Sequence, residues 1–145
     1  MLEQSEAEAL LEEARQAGGS AYAPYSGFHV GAALLDAGGS VHTGANVENA
    51  SYGLSTCAER AAVACAVGQG VREFRAIAVA GPDDREPCLP CGSCRQILHE
   101  FAPDLVVVVT APGHGFREIP LSDLLPDAFG ADTLAQSRHR EEESG

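Results

Sequence analysis

The chain has 145 residues, of which 45% are hydrophobic, and nine basic and 21 acidic residues give it a formal net charge of −12. This length predicts one domain that buries a sizeable core. The negative charge repels phosphate backbones and so argues against a nucleic-acid partner. All nine basic residues are Arg, which excludes enzymes that need a Lys Schiff base.

The sequence predicts neither a membrane protein nor a secreted one. Its N-terminus is acidic and lacks the basic-then-apolar layout of a secretory signal. No apolar run approaches the roughly 20 residues of a membrane span. We therefore expect a cytoplasmic protein. In that reducing compartment its five cysteines are expected to be ligands or core residues rather than disulfides.

The first part of the chain predicts one helix and one hairpin. Apolar residues recur at helical spacing over residues 3 to 17, up to a pair of glycines. Residues 28 to 35 and 40 to 45 flank a glycine-containing turn, which indicates two strands of a β-hairpin. Residues 46 to 56 are polar without a regular period, so they predict a loop.

The second part of the chain alternates helices and strands. Residues 58 to 67 and about 91 to 101 are predicted helices, and residues 74 to 80 are a predicted buried strand. A continuous Leu-Val-Val-Val-Val run over residues 105 to 110 predicts a central strand covered on both faces. Too few residues follow for a crossover helix, so a strand at 116 to 119 should return antiparallel.

The remaining residues complete a single-domain organisation. Residues 121 to 125 predict one helical turn, and residues 137 to 145 predict a disordered acidic tail because they have nothing to bury. One catalytic domain is therefore expected over residues 1 to 136. A hairpin followed by strand–helix–strand alternation predicts an α/β fold, in which a mixed sheet has helices on both faces.

Three cysteines have the spacing of metal ligands. Cys91 and Cys94 form a C-x-x-C pair, and Cys57 stands just ahead of another predicted helix. Three thiolates leave one position of a tetrahedral zinc ion open, as in catalytic sites. Glu59 could then move protons to and from a zinc-bound water. Arg60 could donate hydrogen bonds to the sulfurs and offset their negative charge.

Other uses of these cysteines stay open on spacing alone. Cys88 could complete a closed four-cysteine structural zinc site. The C-x-x-C pair could instead be a redox dithiol, and the repeated spacing of Cys88, Cys91 and Cys94 superficially suggests an iron–sulfur cluster. Cys65 lies among alanines and valines, and we expect it in the core rather than on a metal.

Several motifs together identify a family resemblance. Residues 56 to 60 (Thr-Cys-Ala-Glu-Arg) and 90 to 96 (Pro-Cys-Gly-Ser-Cys-Arg-Gln) closely resemble the small three-cysteine cytidine deaminases of pyrimidine salvage. Residues 24 to 34 and 46 to 53 also match that family, and residues 125 to 130 match it more weakly. The joint pattern covers the chain from about residue 20 to 130.

The resemblance implies a fold, a cofactor and an activity. The fold would be a three-layer α/β/α sandwich with a five-stranded mixed sheet, assembled as a homotetramer with shared active sites. Each chain would bind one Zn²⁺ and hydrolyse cytidine and deoxycytidine to uridine and deoxyuridine with release of ammonia. Deamination of another aminopyrimidine nucleoside, or a non-catalytic zinc module, are the alternatives.

The resemblance also implies substrate contacts within one chain. Asn46 and Glu48 would hydrogen-bond the ribose 3′-hydroxyl, although on sequence alone they also suit an Asx turn and a solvated loop charge. Phe28 would pack on the pyrimidine ring, although a lone Phe is more often core. The backbone N–H of Ala58 would hold the base carbonyl.

Further contacts would come from a neighbouring subunit. Phe129 would lie over the base bound by an adjacent chain. Ala50 and Tyr52 would reach the 5′-hydroxyl of a neighbour's substrate, and Tyr25 would support that junction.

Overall fold

The computed structural model describes residues 1 to 113 and 115 to 144, and within them a five-stranded mixed sheet forms the centre of the molecule. The strands are β1 (Gly31–Asp36), β2 (Val41–Ala45), β3 (Phe74–Ala80), β4 (Val106–Ala111) and β5 (Gly115–Pro120). They lie in the order β2-β1-β3-β4-β5. The β3–β4 pair is parallel, and the other three pairs are antiparallel. The expected hairpin and the antiparallel return of β5 are therefore confirmed.

Helices cover both faces of this sheet, as the alternation of elements predicts. The helices are α1 (Gln4–Gly18), α2 (Ala58–Gly68), α3 (Gly92–Phe101), α4 (Leu121–Leu124) and α5 (Ala131–Ser144), and a short 3₁₀ helix spans Tyr52–Leu54. Along β1, Ala33 and Leu35 pack with α1, whereas Ala32 and Leu34 face the core shared with α2 and α3. Because side chains alternate between the two faces of a strand, β1 contributes residues to two separate cores.

Glycines let two helices approach the sheet closely. A Cβ at Gly44 of β2 would collide with the backbone of Ala58 and Ala62 in α2. A Cβ at Gly31 of β1 would likewise collide with the carbonyl of Ala14 in α1. The start of α2, which carries candidate site residues, therefore rests directly on β2.

A buried pair of hydrogen-bonded side chains closes the β1–β2 hairpin. Asp36 Oδ2 lies 2.9 Å from His42 Nε2, and Asp36 Oδ1 accepts the N–H of Ser40 at 2.9 Å. The hydrogen bond from His42, followed by that from Ser40, lowers the pKa of the Asp36 carboxyl. The pair therefore stabilises the hairpin while Asp36 is ionised.

The structure corrects two sequence predictions. Residues 105 to 110 were predicted to form the central strand, but the middle position belongs to β3, and β4 lies between β3 and β5. At the C-terminus, residues 137 to 144 of the predicted disordered tail lie in helix α5, and residue 145 lies outside the described residues. Described side chains along α5 are exposed, so the helix follows from local propensity of its Ala, Leu, Gln and Arg residues rather than from burial.

Candidate active site

Three cysteine sulfurs converge where two helices begin. Cys57 is the N-cap residue of α2, Cys91 is the N-cap residue of α3, and Cys94 lies in the first turn of α3. Their Sγ atoms all lie within 4.8 Å of one another, and those of Cys91 and Cys94 are 3.5 Å apart. The predicted ligand set is thus assembled, and it lies at the positive ends of two helix dipoles.

A small network of strand-like bridges brings the loop of residues 46 to 56 to the cysteines. The N–H and carbonyl of Val47 bond the carbonyl and N–H of Thr56 at 2.9 and 2.8 Å. On its other side this loop pairs with Tyr22, which bonds the carbonyl of Asn46 and the N–H of Glu48. Because Thr56 directly precedes the first cysteine, the pairing sets Asn46 and Glu48 beside the metal ligands.

The cysteines are held in unequal surroundings. Burial raises the pKa of Cys94, which is fully enclosed, and of Cys57. Burial also acts to raise the pKa of Cys91, but hydrogen bonds from the Cys94 and Ser93 backbone, the Cys94 thiol and Cys57 outweigh it, so this pKa is lowered. A divalent cation among the sulfurs would favour the thiolate form of all three.

Glu59 lies in the second position of α2 and is only 5% exposed. Its Oε2 atom is 3.7 Å from Cys94 Sγ. Burial raises the pKa of its carboxyl. A carboxylate in such an environment exchanges protons more readily near neutral pH than an exposed one. As expected, the site straddles the loop-to-helix junction, since Glu59 and Cys57 would not share a face of a regular helix.

Arg60 does not reach the sulfurs in this structure. Its side chain is exposed, and within the described residues no hydrogen bond links it to a cysteine. The role of Arg60 in offsetting the charge of metal-bound sulfurs stays a prediction. A different arginine secures this region. Arg95 Nε donates to the carbonyl of Pro90 at 2.7 Å, directly before Cys91.

The two additional cysteines lie outside the sulfur cluster. Cys88 is half-buried beside it, but its sulfur is not part of the group that can hold a metal. Burial raises the pKa of the Cys88 thiol to about 11. The closed four-cysteine site is therefore not formed among the described residues. Cys65 is exposed on α2, so its predicted core position is wrong.

A cavity of about 340 Å³ opens beside the sulfur cluster. Its size is in the range of small-molecule sites, roughly 300–1,000 Å³. A larger cleft of about 480 Å³ lies elsewhere, around Leu2, Phe74 and Phe101, but it contains none of the cysteines. The chemically equipped cavity is lined by Ser26, Phe28, Val30, Asn46, Glu48, Cys57, Ala58, Glu59, Cys88, Leu89 and Cys91.

Two of the predicted ribose-binding residues also shape the cavity wall. Asn46 Oδ1 accepts the N–H of Val30 at 2.8 Å, and its Nδ2 donates to the carbonyl of Phe28 at 2.8 Å. Glu48 Oε1 accepts the N–H groups of Tyr25 and Ser26 at 3.0 and 3.1 Å. Hydrogen bonds from Ser26, first from its side chain, lower the pKa of Glu48. Both side chains keep unused hydrogen-bonding positions.

Three predicted contacts lie away from this chain's own cavity. Ala50 and Tyr52 are exposed, and Phe129 is 57% exposed beyond α4. Tyr52 meets Tyr25 edge-on, with ring centroids 6.1 Å apart, at a neighbouring pocket of about 310 Å³. The structure of one chain therefore brings together the metal, acid–base and sugar-binding candidates but leaves these residues facing outward.

The donor set fits zinc. Three clustered thiolates with an adjacent cavity leave one side of a tetrahedral ion accessible, whereas a structural site would be closed by a fourth ligand. With a buried carboxylate beside the ligands, this α/β fold and its site define a zinc-dependent hydrolase of small molecules.

Family comparison makes this class specific. The family model of the cytidine and deoxycytidylate deaminase zinc-binding region matches residues 4 to 110. The chain belongs to this family, and the resemblance drawn from its motifs is confirmed.

Curated and solved relatives agree with the family assignment. The chain is 50% identical over 126 residues to a cytidine deaminase of Halalkalibacterium halodurans, covering 86% of this chain and 95% of that protein. It is 43% identical over 129 residues to one of Sporosarcina psychrophila, covering 88% and 94%. The crystal structure of a cytidine deaminase from Burkholderia pseudomallei has a TM-score of 0.78 and 52% identity, covering 83% of this chain and 97% of that one. The predicted three-layer fold is thus confirmed.

Proposed function

We propose that the chain hydrolyses cytidine and deoxycytidine to uridine and deoxyuridine, with release of ammonia, in pyrimidine salvage. The observation that supports this proposal most is that Cys57, Cys91 and Glu59 line one cavity of about 340 Å³ together with Asn46 and Glu48. Its support from relatives is their description as cytidine deaminases. A nucleoside would present its base to the cysteine end and its sugar to the loop end.

Cys57, Cys91 and Cys94 would hold the zinc ion. When bound, zinc supplies a Lewis acid that makes a water molecule nucleophilic at neutral pH. Glu59 takes a proton from the attacking water and gives one to N3 of the base. The same carboxylate then takes the remaining proton from the new C4 hydroxyl and delivers it to the amine as the C4–N bond breaks, so that water and cytidine yield uridine and ammonia. Burial of Glu59 suits it to both transfers, because a raised pKa lets it hold a proton between them.

The sugar end of the cavity can hydrogen-bond a ribose hydroxyl. Asn46 donates one amide hydrogen to the carbonyl of Phe28 and accepts the N–H of Val30 with one oxygen lone pair. One donor and one acceptor position of its amide therefore remain for a substrate. Glu48 accepts the backbone N–H groups of Tyr25 and Ser26 through Oε1, and a carboxylate has further lone pairs with which it could accept a ribose 3′-hydroxyl. No Arg is among the described residues that line this cavity, so a phosphate would find no cation there and nucleotides should be poor substrates.

The base end offers an aromatic face and a free N–H. Phe28 lines the cavity with 51% of its surface exposed, and its ring can pack on a pyrimidine. Ala58 is the first residue of α2, so its N–H has no partner within the helix and can bond the base carbonyl. Both contacts orient C4 of the base toward the cysteines.

A homotetramer with shared sites would use the outward-facing residues. Phe129 would lie over the base in an adjacent subunit, while Ala50 and Tyr52, supported by Tyr25, would reach the 5′-hydroxyl of a neighbour's substrate. Their exposure in a single chain supports this arrangement.

A cytoplasmic location is part of the same proposal and is supported by five free cysteines, three of which must stay reduced to bind zinc. Among the described residues, no helix combines the length and apolar character needed to cross a membrane.

Ammonia release by the zinc-loaded protein tests the activity. Cytidine and deoxycytidine should be turned over, and cytidylate and single-stranded DNA should not. A Cys65→Ser variant, altered at an exposed thiol outside the cavity, serves as the control and should match the unmodified chain. Lack of turnover of either nucleoside, or comparable turnover of cytidylate, would contradict the proposal.

Co-expression tests the shared site. The Glu59→Gln variant lacks the proton carrier but keeps Phe129. The Phe129→Ala variant keeps Glu59 but lacks the aromatic side chain that would cover the base in the adjacent subunit. In mixed tetramers, some sites would combine the intact Glu59 of one chain with the intact Phe129 of another, so activity should exceed the sum of the two homotetramers. Strictly additive activity, with mixed tetramers verified by mass spectrometry of the intact complex, would reject the sharing.

A further inference from the structure

Helix α3 binds the chain segment of residues 124 to 130, here called the aromatic segment because it carries Phe129. Arg95 Nη1 donates to the carbonyl of Leu124 at 2.8 Å. The next residue, Gln96, donates from Nε2 to the carbonyl of Phe129, also at 2.8 Å. Two neighbouring side chains of one helix therefore hold both halves of the segment.

A third contact lies one turn further along α3. His99 lies against Gly130, where an added Cβ would come within 2.9 Å of His99 Nε2. Between these contacts Asp127 adopts a positive φ of 50°, a conformation that Asp takes more readily than most other non-glycine residues. The aromatic segment thus has a specific path across α3 rather than an arbitrary one.

Packing within the chain does not explain the position of the aromatic ring itself. The side chain of Phe129 is 57% exposed, and within the described residues it takes part in neither of the two aromatic ring pairs. No side-chain hydrogen bond to residues 126 to 128 is present in the described part of the chain. The bond from Gln96 is the side-chain hydrogen bond that holds the backbone at Phe129 itself, the point from which this ring projects.

We infer that Gln96 is a positioning residue for substrate binding, acting through the backbone of Phe129. The inference rests on the proposed function, in which Phe129 lies over the base held by an adjacent subunit. Arg95 extends the same arrangement to the metal, because its Nε donates to the carbonyl of Pro90, directly before Cys91. Helix α3 thus positions two of the three zinc ligands of its own site and, through Gln96, the aromatic residue that the adjacent subunit's site would use.

A Gln96→Met variant tests this inference, because Met keeps the length of the side chain and removes its N–H donors. Loss of one hydrogen bond should raise KM for cytidine about three- to tenfold and leave kcat within about twofold. Zinc content should stay at one per chain. The control is Gln16→Met, which removes an exposed amide that donates to Glu12 at 3.3 Å within α1. This control should change neither constant.

Two further measurements separate positioning from a general structural role. If Gln96 acts through Phe129, the double variant Gln96→Met/Phe129→Ala should have the KM of Phe129→Ala alone. Amide hydrogen exchange over residues 124 to 130 should also be faster in Gln96→Met than in the unmodified chain, whether or not substrate is present.

The outcomes distinguish this inference from the proposed function. Unchanged KM and unchanged exchange in Gln96→Met would overturn the inference and leave the role of Phe129 intact. The inference would also be overturned if the increase in KM of the double variant equalled the product of the increases in Gln96→Met and Phe129→Ala. A normal KM in Phe129→Ala would remove the proposed role of the aromatic ring and, with it, the inference.

Discussion

Replacing Glu59 by Gln separates metal binding from catalysis. Glu59 is 5% exposed, and its Oε2 is 3.7 Å from the sulfur of Cys94, so a residue of equal size is needed to keep the cavity wall in place. Gln meets that requirement but cannot accept or deliver a proton. The three cysteines are unchanged, so zinc should be retained at one ion per chain.

The size of the effect follows from the number of proton transfers. One general acid–base group contributes typically about 10²–10⁴-fold to a rate. Glu59 serves the base nitrogen and then the leaving amine, so its loss should lower kcat by about 10⁴-fold or more. KM should change much less, because the carboxylate is not the group that we assign to sugar or ring binding.

The assay is ammonia release from cytidine, measured together with zinc content by elemental analysis. Glu100→Gln is the matched control, since it removes an exposed carboxylate on α3. It should retain full turnover. Near-normal turnover in a zinc-replete Glu59→Gln protein would refute the assignment of Glu59.

Three other perturbations follow from the same structure. Cys88→Ser should keep zinc and Cys91→Ser should lose it; equal loss would favour a closed site. Gly44→Ala should lower the free energy of unfolding by about 1–3 kcal/mol, because the added methyl group overpacks against α2. Gly68→Ala is the control, since its Cβ meets open space. Equal melting temperatures for the two variants would contradict the close approach of α2 to β2. The pKa of Asp36 is lowered in the fold, so its stabilisation is present above the ordinary value of 3.8 and lost as pH falls through the lower folded value. Acid unfolding of Asp36→Asn should therefore depend less on pH, and an identical pH profile would rule out this contribution.

The catalytic centre could be predicted because its chemistry is local in sequence. Cys91 and Cys94 are three residues apart, and Cys57 and Glu59 are two apart, so short stretches of chain already show the metal ligands and the proposed proton carrier. The structure adds the long-range step that joins the two halves. That step depends on the packing of α2 and α3 against the same face of the sheet, where both helices contribute to one core.

The remaining features depend on helix phase and on backbone partners. Cys65 follows alanines and valines, yet Ala62 and Ala66 occupy the buried face of α2 and Cys65 falls outside it. The roles of Arg95 and Gln96 could not be predicted, because their partners are backbone carbonyls some 30 residues away that have no signature in composition. The order of strands in the sheet could not be predicted either, because an apolar run indicates that a strand is buried but not which strands it pairs with.

X-ray absorption at the zinc edge of the purified protein tests most directly whether this is a catalytic site. The cluster of Cys57, Cys91 and Cys94 predicts three sulfur neighbours at about 2.3 Å and one oxygen neighbour at about 2.0–2.2 Å, the position where water enters. Addition of a substrate-like inhibitor should change the oxygen shell and leave the three sulfurs in place. Four sulfur neighbours would mean that Cys88 or another thiol closes the ion off, and would contradict zinc-dependent deamination at this site.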